Sequence, residues 1–69
     1  MDIVTCHSEF AYAERPVALT WEDQQLAIDT IQEAWRIPRG RCFRVLTNDG
    51  RTFELTYFED DDIWQIRPI

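Results

Sequence analysis

Three short runs in the C-terminal half alternate apolar and polar residues with period two, and the tripeptide between the first two restricts how they can pair. Phe43, Val45 and Thr47 alternate with Arg44 and Leu46; Phe53, Leu55 and Tyr57 with Glu54 and Thr56; Trp64 and Ile66 with Gln65 and Arg67. Aromatic and β-branched residues at this period suit strands half-buried on a core. The turn between the first two runs is Asn48-Asp49-Gly50. A two-residue loop at Asp49-Gly50 sets Val45 opposite Glu54 and mixes the faces. A three-residue loop sets Val45 opposite Phe53, Phe43 opposite Leu55 and Arg44 opposite Glu54, so both faces stay consistent. It also gives Gly50 the left-handed position of a bulged turn, where a residue without Cβ is unstrained.

The same logic pairs Tyr57 with Trp64, Leu55 with Ile66, Thr56 with Gln65 and Glu54 with Arg67. Residues 41–66 are therefore expected to form a three-stranded antiparallel meander with an aromatic inner face. Its outer face carries an Arg44–Glu54–Arg67 charge ladder.

With 69 residues there is room for one domain, spanning 1–69. A chain this short buries only about 60% of its extended surface. Its core must come from its aromatics: Trp21, Trp35, Trp64, Tyr12, Tyr57, Phe10, Phe43, Phe53 and Phe58. Each can bury roughly 150–250 Å².

The net charge of −6 disfavours a general duplex-DNA or anionic-membrane binder, which must neutralise phosphates. The charge is segregated: Arg36, Arg39, Arg41 and Arg44 lie in a stretch without acids, and residues 59–62 are all acidic. Asp2, His7 and Glu9 interrupt any N-terminal apolar run, and no stretch approaches the ~18 apolar residues of a membrane span. The expected location is cytoplasmic, with Cys6 and Cys42 as reduced, buried thiols.

The N-terminal half is less regular. Residues 1–13 alternate weakly, as a first or edge strand, and Arg15-Pro16 breaks the pattern. Pro38-Arg39-Gly40 is a second break. Residues 20–37 allow two readings. As a helix, Thr20 is an N-cap and Trp21, Ile28, Ile31 and Trp35 recur at helical spacing, which local propensity favours. As a hairpin turning at Asp23-Gln24, Trp21 opposes Leu26 and Leu19 opposes Ile28. A bulge near Asp29-Thr30 then precedes Ile31, Glu33, Trp35 and Ile37 on one face. The turn lacks glycine, which weakens this reading.

The order Arg15-Pro16, Trp21, Ile28, Ile31, Trp35-Arg36, Phe43-Arg44-Val45, Thr47, Asp49-Gly50, Phe53-Glu54-Leu55 and Trp64 resembles a small family of uncharacterised bacterial domains (DUF6504-like) over residues 15–66. The resemblance rests on core and turn residues. It implies that 17–21 and 26–35 are strands of a small sheet or barrel, and it implies an association with DNA repair. The sequence departs from the family pattern at Glu22-Asp23-Gln24-Gln25, where Gly-Arg is expected. With the resemblance, the expected fold is all-β: a small antiparallel meander sheet or partly open barrel of about five strands. The alternative is α+β, with a helix at 20–36 packed on a three-stranded sheet.

No constellation of catalytic residues emerges. Cys6 and His7 are neighbours on a strand and point to opposite faces. Cys6, His7 and Cys42 lack the spacing of a zinc site, and the acids at 59–62 lack the residues of a calcium loop. No phosphate-binding or dinucleotide motif is present, so neither enzyme activity nor a cofactor is expected. The best binding candidates are Arg36, Arg39 and Arg41, interleaved with Trp35 and Phe43. A single-stranded nucleic-acid platform uses arginines and aromatics in this way, but the core competes for Trp35 and Phe43. The same arginines suit an acidic protein surface. The expected function is a binding or assembly module for a protein partner, with homodimerisation through a sheet edge as one mode. The alternative is a single-stranded nucleic-acid-binding accessory domain; no membrane partner is expected.

Overall fold

Strand follows strand along the chain, and each pairs antiparallel with the next. The computed structural model describes residues 3–9 and 12–69, without the side chains of 6–9 and 12–14. The elements are β1 (Ile3–Glu9), β2 (Tyr12–Trp21), β3 (Gln24–Ile37), β4 (Gly40–Thr47), β5 (Thr52–Phe58) and β6 (Ile63–Pro68). They form one six-stranded sheet in sequence order. The sheet curls until β1 touches β6, giving a nearly closed barrel. No described residue is helical, so none belongs to a helix long and apolar enough to cross a membrane.

The C-terminal meander has the register that its alternation requires. Phe43 opposes Leu55, Arg44 opposes Glu54 and Val45 opposes Phe53. On the next pair of strands Glu54 opposes Arg67, Leu55 opposes Ile66 and Tyr57 opposes Trp64. Gly50 has φ +85 and donates to the Thr47 carbonyl at 3.0 Å, while the Thr47 amide donates to the Arg51 carbonyl at 2.9 Å. The charge ladder keeps its register, but the close ion pair of Arg44 is with Glu33 on β3, at 3.9 Å.

The stretch 20–37 is strand, not helix. Its turn lies one residue earlier than the hairpin reading placed it. Leu19 opposes Leu26 and Trp21 opposes Gln24, leaving Glu22 and Asp23 as a two-residue loop. Both adopt left-handed backbone, with φ of 50 and 64. Two successive positive φ angles are what a tight hairpin turn needs to match the strand twist. The gain from this register is burial: Leu19 and Leu26 are both in the core.

Arg15-Pro16 does not end a strand either. β2 runs through it, with register shifts against β1 that leave Glu14 and Val17 as extra residues. A bulged strand tolerates a proline's missing donor. β3 carries two bulges of its own, between Ile28 and Thr30 and between Ile31 and Glu33. The first is the expected one. The second, at Gln32, shifts the alternation by one residue, so every side chain beyond it changes face. Ala34 and Arg36 thus join Phe43 and Arg41 on the inner side, and Trp35 and Ile37 turn outward. Trp35 is consequently absent from the core, contrary to its expected role.

The core is Leu19, Leu26, Phe43, Val45, Phe53, Leu55 and Ile66. Ring contacts bind its margin: Trp21 with Phe53 at 5.5 Å, Phe43 with Trp64 at 6.0 Å and Tyr57 with Trp64 at 5.0 Å between centroids.

Candidate functional site

β2 and β3 pair only from Ala18–Ala27 to Trp21–Gln24, next to their turn. Beyond Ala27, β3 follows β4 while β2 follows β1, so the two strands separate. A cleft of about 640 Å³ opens between them, lined by Arg15, Pro16, Val17, Ile28, Ile31 and Phe43, with Asp29 and Ala34. A second hollow, of about 340 Å³, shares Ala34 and Phe43 and continues to Trp35, Arg36 and Arg41. The two form one groove along β3. Ile28, Ile31, Ala34 and Phe43 give it an apolar strip, Arg15 and Asp29 add charge at one end, and Arg36 and Arg41 stand at the other.

The hydrogen-bond phase of the sheet follows from its turns. Thr47 bonds to Arg51, and the Arg39 carbonyl accepts from the Glu59 amide at 3.0 Å. Odd-numbered residues of β4 therefore direct their main chain toward β5, and even-numbered residues toward β3. Their partners on β3 are Glu33, Trp35 and Ile37. Ala34 and Arg36 consequently turn both N–H and C=O away from β4, toward the groove. Among the described residues no strand pairs with this side of β3 beyond Ala27. The stretch 33–37 lies past the second bulge and is regular.

The three candidate arginines share one end of the barrel but not one role. Arg36 and Arg41 stand directly opposite each other. That position is not hydrogen-bonded between the strands, so their side chains start closest together. Arg36 Nη2 lies 3.3 Å from Glu59 Oε1, with both side chains well exposed. Arg39 instead leaves the groove and stacks its guanidinium 5.2 Å from the centre of Phe58. The basic and acidic blocks of the sequence are thus neighbours in space. They partly neutralise each other, which weakens the case for a phosphate-tracking surface. Beside them the Tyr57 hydroxyl donates to Asp62 Oδ1 at 2.6 Å. This bond, first among the causes, holds the Tyr57 phenol above its ordinary pKa.

The outer face also differs from an all-charged surface. Cys42 is only 4% exposed although it points away from the core. Its Sγ lies 3.6 Å from Thr56 Oγ1, and Trp35 stands opposite it on β3. Ile37, Phe58 and Ile63 extend this apolar outer patch toward the same barrel end. The alternation hid it, because the Gln32 bulge that moves Trp35 outward leaves no glycine or proline to mark it.

The expected burial of Cys6, and any approach of Cys6 or His7 to Cys42, lie outside the described side chains. Among the described residues, no three His, Cys, Asp or Glu side chains are placed to hold a metal ion. Compared with protein families, with curated proteins and with solved structures, the chain matches none.

Proposed function

We propose that the chain is a binding module that takes an extended segment of a protein partner onto the edge of β3. One observation carries this reading: the main chain of Ala34 and Arg36 faces a groove with an apolar strip, and among the described residues no strand is paired to it there. An open strand edge supplies hydrogen bonds to any extended peptide, and the groove beside it supplies side-chain selectivity. The buried thiol of Cys42 fits a reducing, cytoplasmic setting. The single-stranded nucleic-acid reading, and the repair association of the resembled family, draw less support. Arg39 is stacked on Phe58 and so directed away from the other two arginines, the acidic block lies beside them, and the net charge is negative.

The test is selection from a displayed library of ten-residue peptides, followed by amide hydrogen exchange of the chain with the peptides recovered. Bound peptides should slow exchange at Ala34 and Arg36, while Glu33 and Trp35, already bonded to β4, change little. N-methylation at alternate peptide residues should abolish binding. Recovery of no peptide, or protection confined to another edge, removes the proposal. Sedimentation of the chain alone is the control for a second copy occupying the same edge.

A further inference from the structure

We infer that the segment received by β3 carries an acidic side chain opposite Arg36, two residues before a large apolar side chain opposite Ala34. This rests on the strand-addition reading above and specifies its partner.

Arg36 and Arg41 are directly opposed, in the arrangement that brings cross-strand side chains closest. Both line the far end of the groove. Among the described residues, an ion pair joins Arg36 to Glu59, from the β5–β6 turn, with 41% of its side chain exposed. An exposed pair of this kind contributes little and exchanges readily. A carboxylate that reaches the Arg36 guanidinium gains a charge-assisted hydrogen bond, in a forked geometry that arginine favours.

The neighbouring position requires the opposite chemistry. Ala34 is small, and it lies opposite Phe43 at the point where both hollows meet. A large apolar side chain above Ala34 fills that space against Phe43 and reaches toward Ile31. The intervening residue of the partner lies on the outer side, next to Trp35, and is free to be polar or aromatic.

Direction follows from pairing. All strands of this sheet are antiparallel, and antiparallel pairing is slightly the more stable per residue. A partner running antiparallel to β3 meets Arg36 before Ala34, so the acid precedes the apolar residue. The recognised pattern is acid, any residue, large apolar. The main-chain edge selects a peptide over a phosphate polymer as the source of the anion.

Peptides recovered in the selection above supply the probe. The best of them that protects Ala34 and Arg36 is made with its acid as Glu and as Gln, and both are titrated calorimetrically against the chain and against Arg36→Gln. Arg36 is exposed, so the variant keeps its fold. Glu→Gln should weaken binding to the original chain about tenfold, the scale of one charge-assisted hydrogen bond, and by less than about twofold to Arg36→Gln. Equal affinity for the two peptides, or no enrichment of acids two places before the apolar residue, overturns this inference and leaves strand addition standing. A dT10 oligonucleotide that displaces the peptide through Arg36 overturns the choice of anion. Absence of any peptide protecting the two amides overturns both readings.

Discussion

Trp35 stands directly opposite Cys42 on the outside of the sheet, and a thiol that points away from the core is nonetheless almost fully buried. A cross-strand neighbour with a large ring is the nearest cover such a position can have. Thr56, also buried, completes the row from the other side. The outer surface thus has a small apolar layer of its own, which depends on a bulge two strand positions away.

Removing that cover should therefore be felt at the thiol. Trp35→Ala is expected to raise the rate of Cys42 labelling by a maleimide several-fold under native conditions, with only a modest loss of stability. Trp35→Phe should keep most of the protection. Unchanged labelling in Trp35→Ala would mean that Cys42 is covered from elsewhere.

Glycine is required at two turns for different reasons, and substitutions separate them. A Cβ at Gly40 would collide with the Tyr57 carbonyl oxygen, whereas at Gly50 there is open space but φ is +85. Gly50→Ala should cost about 1–2 kcal/mol, the usual penalty of left-handed backbone, and Gly50→Asn clearly less. Gly40→Ala and Gly40→Asn should both cost the upper part of ~1–3 kcal/mol or more, because backbone cannot yield as a side chain can. Urea denaturation of the four variants checks the contrast.

The Glu22-Asp23 turn is a site where stability can be gained. Both residues hold positive φ, and glycine removes that strain at some cost in chain entropy. Asp23→Gly should stabilise by ~0.5–1 kcal/mol, seen as a rise of a few degrees in Tm. A fall in Tm would show that the aspartate makes a contribution beyond turn geometry.

Acid should act through Asp49. The Thr47 hydroxyl donates to its carboxylate at 2.5 Å, the Arg51 amide donates at 3.3 Å, and the Arg51 guanidinium lies 3.0 Å away. Led by the Thr47 bond, these hold the Asp49 carboxyl below its ordinary value of 3.8, against a smaller opposing effect of desolvation. A folded-state pKa below the unfolded one gives stability that is fully present above the unfolded value and is lost as pH falls through the folded one. The urea midpoint should therefore drop on moving from about pH 7 to about pH 3, and it should drop less in Asp49→Asn.

Legibility along the chain followed the turns. Around Asn48-Asp49-Gly50 the alternation and the glycine agreed, and one register alone kept charges off the core, so every pairing from Phe43 to Arg67 could be derived. At Glu22-Asp23 no glycine marked the left-handed positions, and the hairpin reading slid by one residue. Strand signals in 24–37 were real, but the bulge at Gln32 has no composition of its own. Without it Trp35 reads as inward-facing and Ala34 as outward-facing, the reverse of the facing that the fold adopts. Arg36, Arg39 and Arg41 lie at or beside the β3–β4 turn and so share one barrel end whatever the strand facing. Their separation into a groove pair, Arg36 and Arg41, and a stacked Arg39 depends on strand facing, which that same bulge controls. The groove itself follows from β2 and β3 parting company, a tertiary choice that local pattern does not encode.

The sequential strand order has a kinetic consequence. From β2 onward each strand meets its successor across a turn of a few residues, so loop-closure entropy is small for every pairing except the contact of β1 with β6. Folding rate falls as the mean sequence separation of contacts rises, so this barrel belongs at the fast end of all-β proteins. The β4–β5–β6 hairpins are placed to nucleate it, and the closing seam between the first and last strands to form last.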